Sequence, residues 1–192
     1  MDISSLIVIA WITYRLAASF YSGVACDVLL IASWFNIHYT DNVDFGYQFN
    51  WSFVPMYCLT GYLYYRLSCM AMHSQTVKLK EISKICRHIR LFDILRFSVL
   101  APVHEEITWR LVLQDYITKI LGPLVALALV ALLFTAWHRS GLTAAPQVIE
   151  LLFFSAILGA SILITSDPLL PICLHAVRNF FVLTRYQSDA IA

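Results

Sequence analysis

Long apolar runs separated by short polar clusters organise the chain. The first run covers residues 3–35, more than the roughly 20 residues one membrane span needs. It reads as a tilted span that continues into an interfacial piece near Gly23 and Asp27. Residues 36–50 are polar, with Asp41 and Asp44 and no Lys or Arg. A second apolar run, 51–72, has tyrosines near its ends. Further runs follow at 92–120, 124–138, 148–165 and 169–183. Their boundaries are a proline-marked turn at Gly122-Pro123, a loop from Arg139 to Pro146, and a tight turn at Ser166-Asp167-Pro168. The pattern predicts an all-α, polytopic transmembrane bundle of about six spans, with four motif-bearing and packing helices at its core.

Composition supports the membrane reading. The chain has 192 residues, 60% of them hydrophobic and 13% charged, an apolar share well above that of soluble domains. Residues 73–96 carry Lys78, Lys80, Lys84, Arg87, Arg90 and Arg96 against Glu81 and Asp93. By the positive-inside rule this segment is cytoplasmic and 36–50 is external, which puts both termini of a six-span chain inside. Val77, Ile82, Ile85, Ile89 and Leu91 between the charges fit either an amphipathic helix on the inner leaflet or a solvated basic loop. The N-terminal run has no basic leader and contains Arg15, so it reads as a retained span. No basic patch interleaved with aromatics suggests nucleic acid. Five scattered cysteines without CxxC spacing argue against a disulfide framework or a thiolate zinc site.

Against this background the stretch Ala101-Pro-Val-His-Glu-Glu-Ile-Thr-Trp-Arg110 stands out, because ionisable groups at membrane depth are costly and are by default functional candidates. Glu106 and Arg110, four apart, share a helix face and can pair. Glu105 is turned about 100° from Glu106 and points elsewhere. Pro102 interrupts the span and frees a backbone carbonyl.

Three further polar groups lie in apolar runs: His138, at the end of its span in Phe134-Thr-Ala-Trp-His138, and His175 and Asn179 in the last span. Phe134 stacks below His138, and Asn179 shares a face with His175. A lone intramembrane histidine is usually a packing residue. Two imidazoles, a carboxamide and an unpaired acid, spread over three separate spans, form a set capable of chemistry. A carboxylate can activate water, a histidine can share that water or protonate a leaving amine, and Asn and His can donate to an oxyanion. The set suits hydrolysis of an acyl bond, most naturally a peptide.

Glu-Glu-x-x-x-Arg at 105–110, Phe-x-x-x-His at 134–138 and His-x-x-x-Asn at 175–179 resemble, in order, the three motifs of the CAAX protease and bacteriocin-processing (Abi) family of intramembrane endopeptidases. Ala101-Pro102 and residues 165–174 look like the family's flanks, and the resemblance covers residues 92–187. It implies a catalytic set of Glu105 as base, His138 as its assistant, and His175 with Asn179 at the oxyanion. It also implies structural support from Glu106, Arg110 and Phe134. Trp109 and Leu111 depart from the residues usual in the family, which bears on substrate fit more than on chemistry. His104 is a neighbour of the site. Residues 1–91 then form N-terminal spans and a basic loop, and 92–187 the protease-like domain.

His104-Glu105 invites the HExxH motif, but Thr108 stands where its second histidine would be. The favoured reading has no metal or other cofactor, Asn179 serving as oxyanion donor. The alternative is Zn2+ held by Glu105, His138 and His175 with an open fourth position. The implied partners are membrane lipid and a membrane-associated protein or peptide substrate, with a bacterial inner membrane as the expected location. The competing classes are a non-catalytic protein of the same fold (an immunity factor or scaffold) and a small proton-relay transporter, which leaves Asn179 without a role.

Overall fold

A computed structural model describes residues 46–71, 91–138 and 145–191. The predicted first span, the basic segment up to residue 90 and the loop at 139–144 lie outside the described residues. Within them the chain is helical and has no strands. A single 3-10 turn, Trp51–Phe53, leads into α1, Val54–Ala71. Then come α2, residues 91–121, α3, Pro123–Trp137, α4, Ala145–Thr165, and α5, Leu169–Ile191. Of these, α4 is long and apolar enough to cross a membrane, while Pro123–Trp137 and Leu169–Thr184 are shorter apolar stretches.

Two predicted boundaries move. Pro146, read as loop, sits in the first turn of α4, where an N–H would lack a helical partner anyway. The last helix does not stop at 183 but runs to Ile191. The polar residues after Leu183 end the apolar stretch, not the helix.

The predicted interruption at Pro102 does not break α2. Instead, α-helical Leu91–Leu95, Ala101–Glu106 and Asp115–Leu121 alternate with π-helical Arg96–Leu100 and Ile107–Gln114. Proline has no N–H to give and its ring crowds the carbonyl four residues back. The widened turn absorbs it: the Ala101 N–H reaches five residues back, to the Arg96 carbonyl.

Polarity is arranged inside out. Glu106, Thr108, Arg110, Gln114 and Asp167 are fully buried, whereas Leu124 and Ile164 are 80% and 81% exposed. Lipid solvates such an apolar exterior, and the costly polar groups face protein. The apolar core lies where α2, α3 and α4 meet, around Val112, Leu113, Val130, Phe134, Phe154 and Leu158.

Close approach needs small residues. A Cβ on Gly61 of α1 would sit 3.0 Å from the Leu174 Cα of α5, and one on Gly159 of α4 would sit 2.6 Å from the Gln114 side-chain oxygen. The Gln114 amide donates to the Gly159 carbonyl at 2.9 Å, locking α2 to α4. At the turn before α5, the buried Asp167 accepts from the Tyr57 hydroxyl at 2.8 Å and from the backbone N–H groups of Asn50 and Leu169. That one carboxylate ties α1 and the start of α5 together and caps α5.

Candidate active site

The middle of α2 carries the acids. The end of α3 carries His138, and the middle of α5 carries His175 and Asn179. They meet at a cavity of about 300 Å³ lined by Glu105, Phe134, His138, His175, Arg178 and Asn179 together with apolar side chains. Glu105 Oε2 lies 3.6 Å from His138 Nε2 and 3.8 Å from His175 Nε2. Both separations are longer than a direct hydrogen bond but within reach of ion pairing if the ring is protonated. The structure therefore brings together the acid and both imidazoles, which come from three helices.

Each ring is held from behind. His138 Nδ1 is 2.9 Å from the Phe134 carbonyl, an acceptor, so that nitrogen carries the proton and Nε2 faces Glu105. The Phe134 ring packs against His138 at 4.3 Å between centroids, tilted by 37°. His175 Nδ1 lies 2.7 Å from Glu106 Oε1, which turns its Nε2 to Glu105. Glu106 is fixed by its ion pair with Arg110, 3.1 Å from Nε to Oε2, and Arg110 also donates to Ser155 Oγ at 2.9 Å. The Arg110 guanidinium sits 5.1 Å above the Phe134 ring, and Trp109 meets that ring edge-on. Glu106 and Arg110 form the pair expected from their spacing, and the pair also orients an imidazole.

Asn179 lines the same cavity, but its carboxamide is engaged locally. Nδ2 donates to the Phe97 carbonyl of α2 at 3.2 Å, and Oδ1 accepts from Arg178 Nη1 at 3.5 Å. His104 is not among the residues lining the cavity, and its carbonyl accepts from Thr108 Oγ1.

Sequence reasoning missed a second, partly buried ion pair. Arg178 is bound to Glu150 of α4 at 2.7 and 3.2 Å, and lies 4.7 Å from the Phe154 ring. Glu150 in turn accepts from the Tyr64 and Ser68 hydroxyls of α1. Glu150 and Arg178 both occur in apolar runs, so the rule that singled out Glu105 applies to them equally.

A zinc site needs donors gathered within about 2.0–2.3 Å of one point. Among the described residues, no group of three or more His, Cys, Asp or Glu side chains is arranged to hold a metal ion.

No curated protein and no solved structure matches the chain. Residues 87–181, which include Glu105, Glu106, Arg110, Phe134, His138, His175 and Asn179, match the model of a protein family. That model describes the type II CAAX prenyl endopeptidase Rce1-like family, whose members are membrane proteins and which this segment of the chain resembles.

Proposed function

We propose that the chain is an intramembrane endopeptidase that hydrolyses a peptide bond of a membrane-associated client with a water activated by Glu105. The observation that carries this reading is the position of Glu105 Oε2, on a cavity and facing the Nε2 atoms of both His138 and His175. The family match over residues 87–181 supports a CAAX-type protease activity.

In this scheme a water held between Glu105 and His138 attacks the scissile carbonyl carbon while Glu105 takes its proton. The carbonyl oxygen becomes an oxyanion, to which Asn179 Nδ2 and His175 Nε2 donate. Because His175 Nδ1 is committed to Glu106, donation from Nε2 requires both ring nitrogens to carry protons. As the C–N bond breaks, the proton held by Glu105 passes through His138 to the departing amine. Carboxylate and imidazole regain their starting states. Glu106, Arg110 and Phe134 act by holding the two rings.

Residues 92–187 form the catalytic unit in this reading, and 1–91 its N-terminal spans. The chain crosses a bacterial inner membrane six times, and both termini are cytoplasmic. His138 then ends α3 at the cytoplasmic face, so the site opens inward. Cysteines placed at residues 139–144 would react with an impermeant reagent from the cytoplasmic side; reaction only from outside would overturn the orientation.

The function is tested by incubating the chain in nanodiscs with a farnesylated CAAX-box peptide and identifying products by mass spectrometry. One new carboxyl terminus, formed by wild type and not by His138→Ala, is expected. A non-catalytic immunity factor or scaffold of the same fold would leave the peptide intact.

A further inference from the structure

Three observations around the start of α2 bear on Asn179. First, the turn Arg96–Leu100 is π-helical, with the Ala101 N–H bonded to the Arg96 carbonyl. The next step of that ladder would bring the N–H of residue 102 to the Phe97 carbonyl. Residue 102 is proline, so the donor does not exist. Second, the Phe97 carbonyl is the acceptor that Asn179 Nδ2 reaches from α5, 82 residues away in sequence. Third, Asn179 Oδ1 faces Arg178 Nη1, and Arg178 is held by Glu150 and the Phe154 ring.

Together these contacts decide the carboxamide's orientation. An amide can be flipped by exchanging its oxygen and nitrogen, and only its partners tell the two apart. Here a carbonyl, which only accepts, stands on one side, and a guanidinium, which only donates, stands on the other. Both demand the same orientation. The NH2 group has two hydrogens, and the bond to Phe97 uses one. The other remains on a group that lines the cavity beside Glu105 and His175.

We propose that Pro102 is a positioning residue for Asn179: by withholding an N–H, it reserves the Phe97 carbonyl for one carboxamide hydrogen and so aims the other at the reacting carbonyl. This rests on the oxyanion role of Asn179 proposed above. In an ordinary span the Phe97 carbonyl would already accept a bond within its own helix, and Asn179 would have to share that oxygen with a backbone donor. The proline is thus part of the site's wiring as well as its shape. Arg178, through Glu150, Tyr64 and Ser68, holds the opposite end of the same carboxamide.

The test separates the missing N–H from the ring. Pro102→Ala restores the donor, whereas lactic acid at position 102, introduced by nonsense suppression, removes both ring and N–H. With a farnesylated CAAX-box peptide, Pro102→Ala is expected to lower kcat about tenfold or more with KM unchanged, since an oxyanion donor is lost or misaimed. The lactic acid variant is expected to recover most of that loss. In an Asn179→Ala background, Pro102→Ala should add no further loss. Equal losses in the alanine and lactic acid variants, or none in Pro102→Ala, would overturn the proposal.

A second readout does not depend on turnover. In protein labelled with 15N-asparagine, the two carboxamide protons of Asn179, assigned by their absence in Asn179→Ala, should exchange with solvent at clearly different rates in wild type and the lactic acid variant. They should exchange at similar rates in Pro102→Ala. Identical behaviour in all three overturns the positioning role even if the peptide is cleaved. The expected pattern without any cleavage supports the carboxamide latch and sinks the hydrolase reading instead.

Discussion

His175 Nδ1 and Glu106 Oε1 are 2.7 Å apart, both fully enclosed by protein. A carboxylate already paired with Arg110 can only accept from the ring, so the contact selects the nitrogen that faces Glu105. Two neighbouring acids therefore flank one imidazole, at 2.7 Å from Nδ1 and 3.8 Å from Nε2, and do different things. Glu106 orients the ring; Glu105 faces the cavity.

That division makes a contrast in stability. Removing one partner of a buried ion pair leaves the other charge uncompensated, so Glu106→Ala should cost about 3–5 kcal/mol. Glu105→Gln strands no arginine and should leave the unfolding midpoint close to wild type. Denaturant titration in mixed micelles checks this, and equal destabilisation by the two variants would contradict the assignment.

Phe134 touches His138, Arg110, Trp109 and His175 with one ring. Phe134→Ala should destabilise the protein by about 3–5 kcal/mol, the usual range for a buried aromatic. Phe134→Leu should recover much of that stability while kcat stays low, because the His138 ring loses the aromatic ring it packs against. Comparison of unfolding midpoints with kcat for the two variants separates packing from positioning.

The α2–α4 contact should be sensitive to a single methyl. A Cβ at Gly159 would meet Gln114 at 2.6 Å and Leu127 at 2.7 Å, so Gly159→Ala should cost about 1–3 kcal/mol by overpacking. Gln114→Ala in the same background should relieve part of that cost. A double-mutant cycle on thermal stability reads the coupling directly.

Metal dependence has its own outcome. Hydrolysis of the farnesylated peptide should survive 1,10-phenanthroline and dialysis, and the purified protein should carry no stoichiometric zinc by elemental analysis. Loss of activity on chelation with recovery on added zinc would favour the alternative, in which Glu105, His138 and His175 are ligands.

What could be read in the sequence was local. Glu106 with Arg110, and Phe134 with His138, are four residues apart on one helix, and spacing alone pairs them. The apolar runs likewise marked α1 to α5 to within a turn, except where α5 continues past its apolar part. Relationships between helices were not legible. Nothing in spacing says that His175 meets both acids, or that Asn179 reaches Phe97 across 82 residues. Pro102 announced a disturbance but not its form, since a kink and a π-turn relieve the same missing bond. Glu150 and Arg178 were visible as charges in apolar runs; only the folded chain pairs them.

The most direct test is the turnover of Glu105→Gln, reconstituted in nanodiscs and shown to unfold like wild type. Glutamine keeps the size of the side chain and removes the base. The account expects kcat to fall about a hundredfold or more, the range for loss of general base catalysis. A Glu105→Gln protein that cleaves the farnesylated peptide as fast as wild type would contradict it.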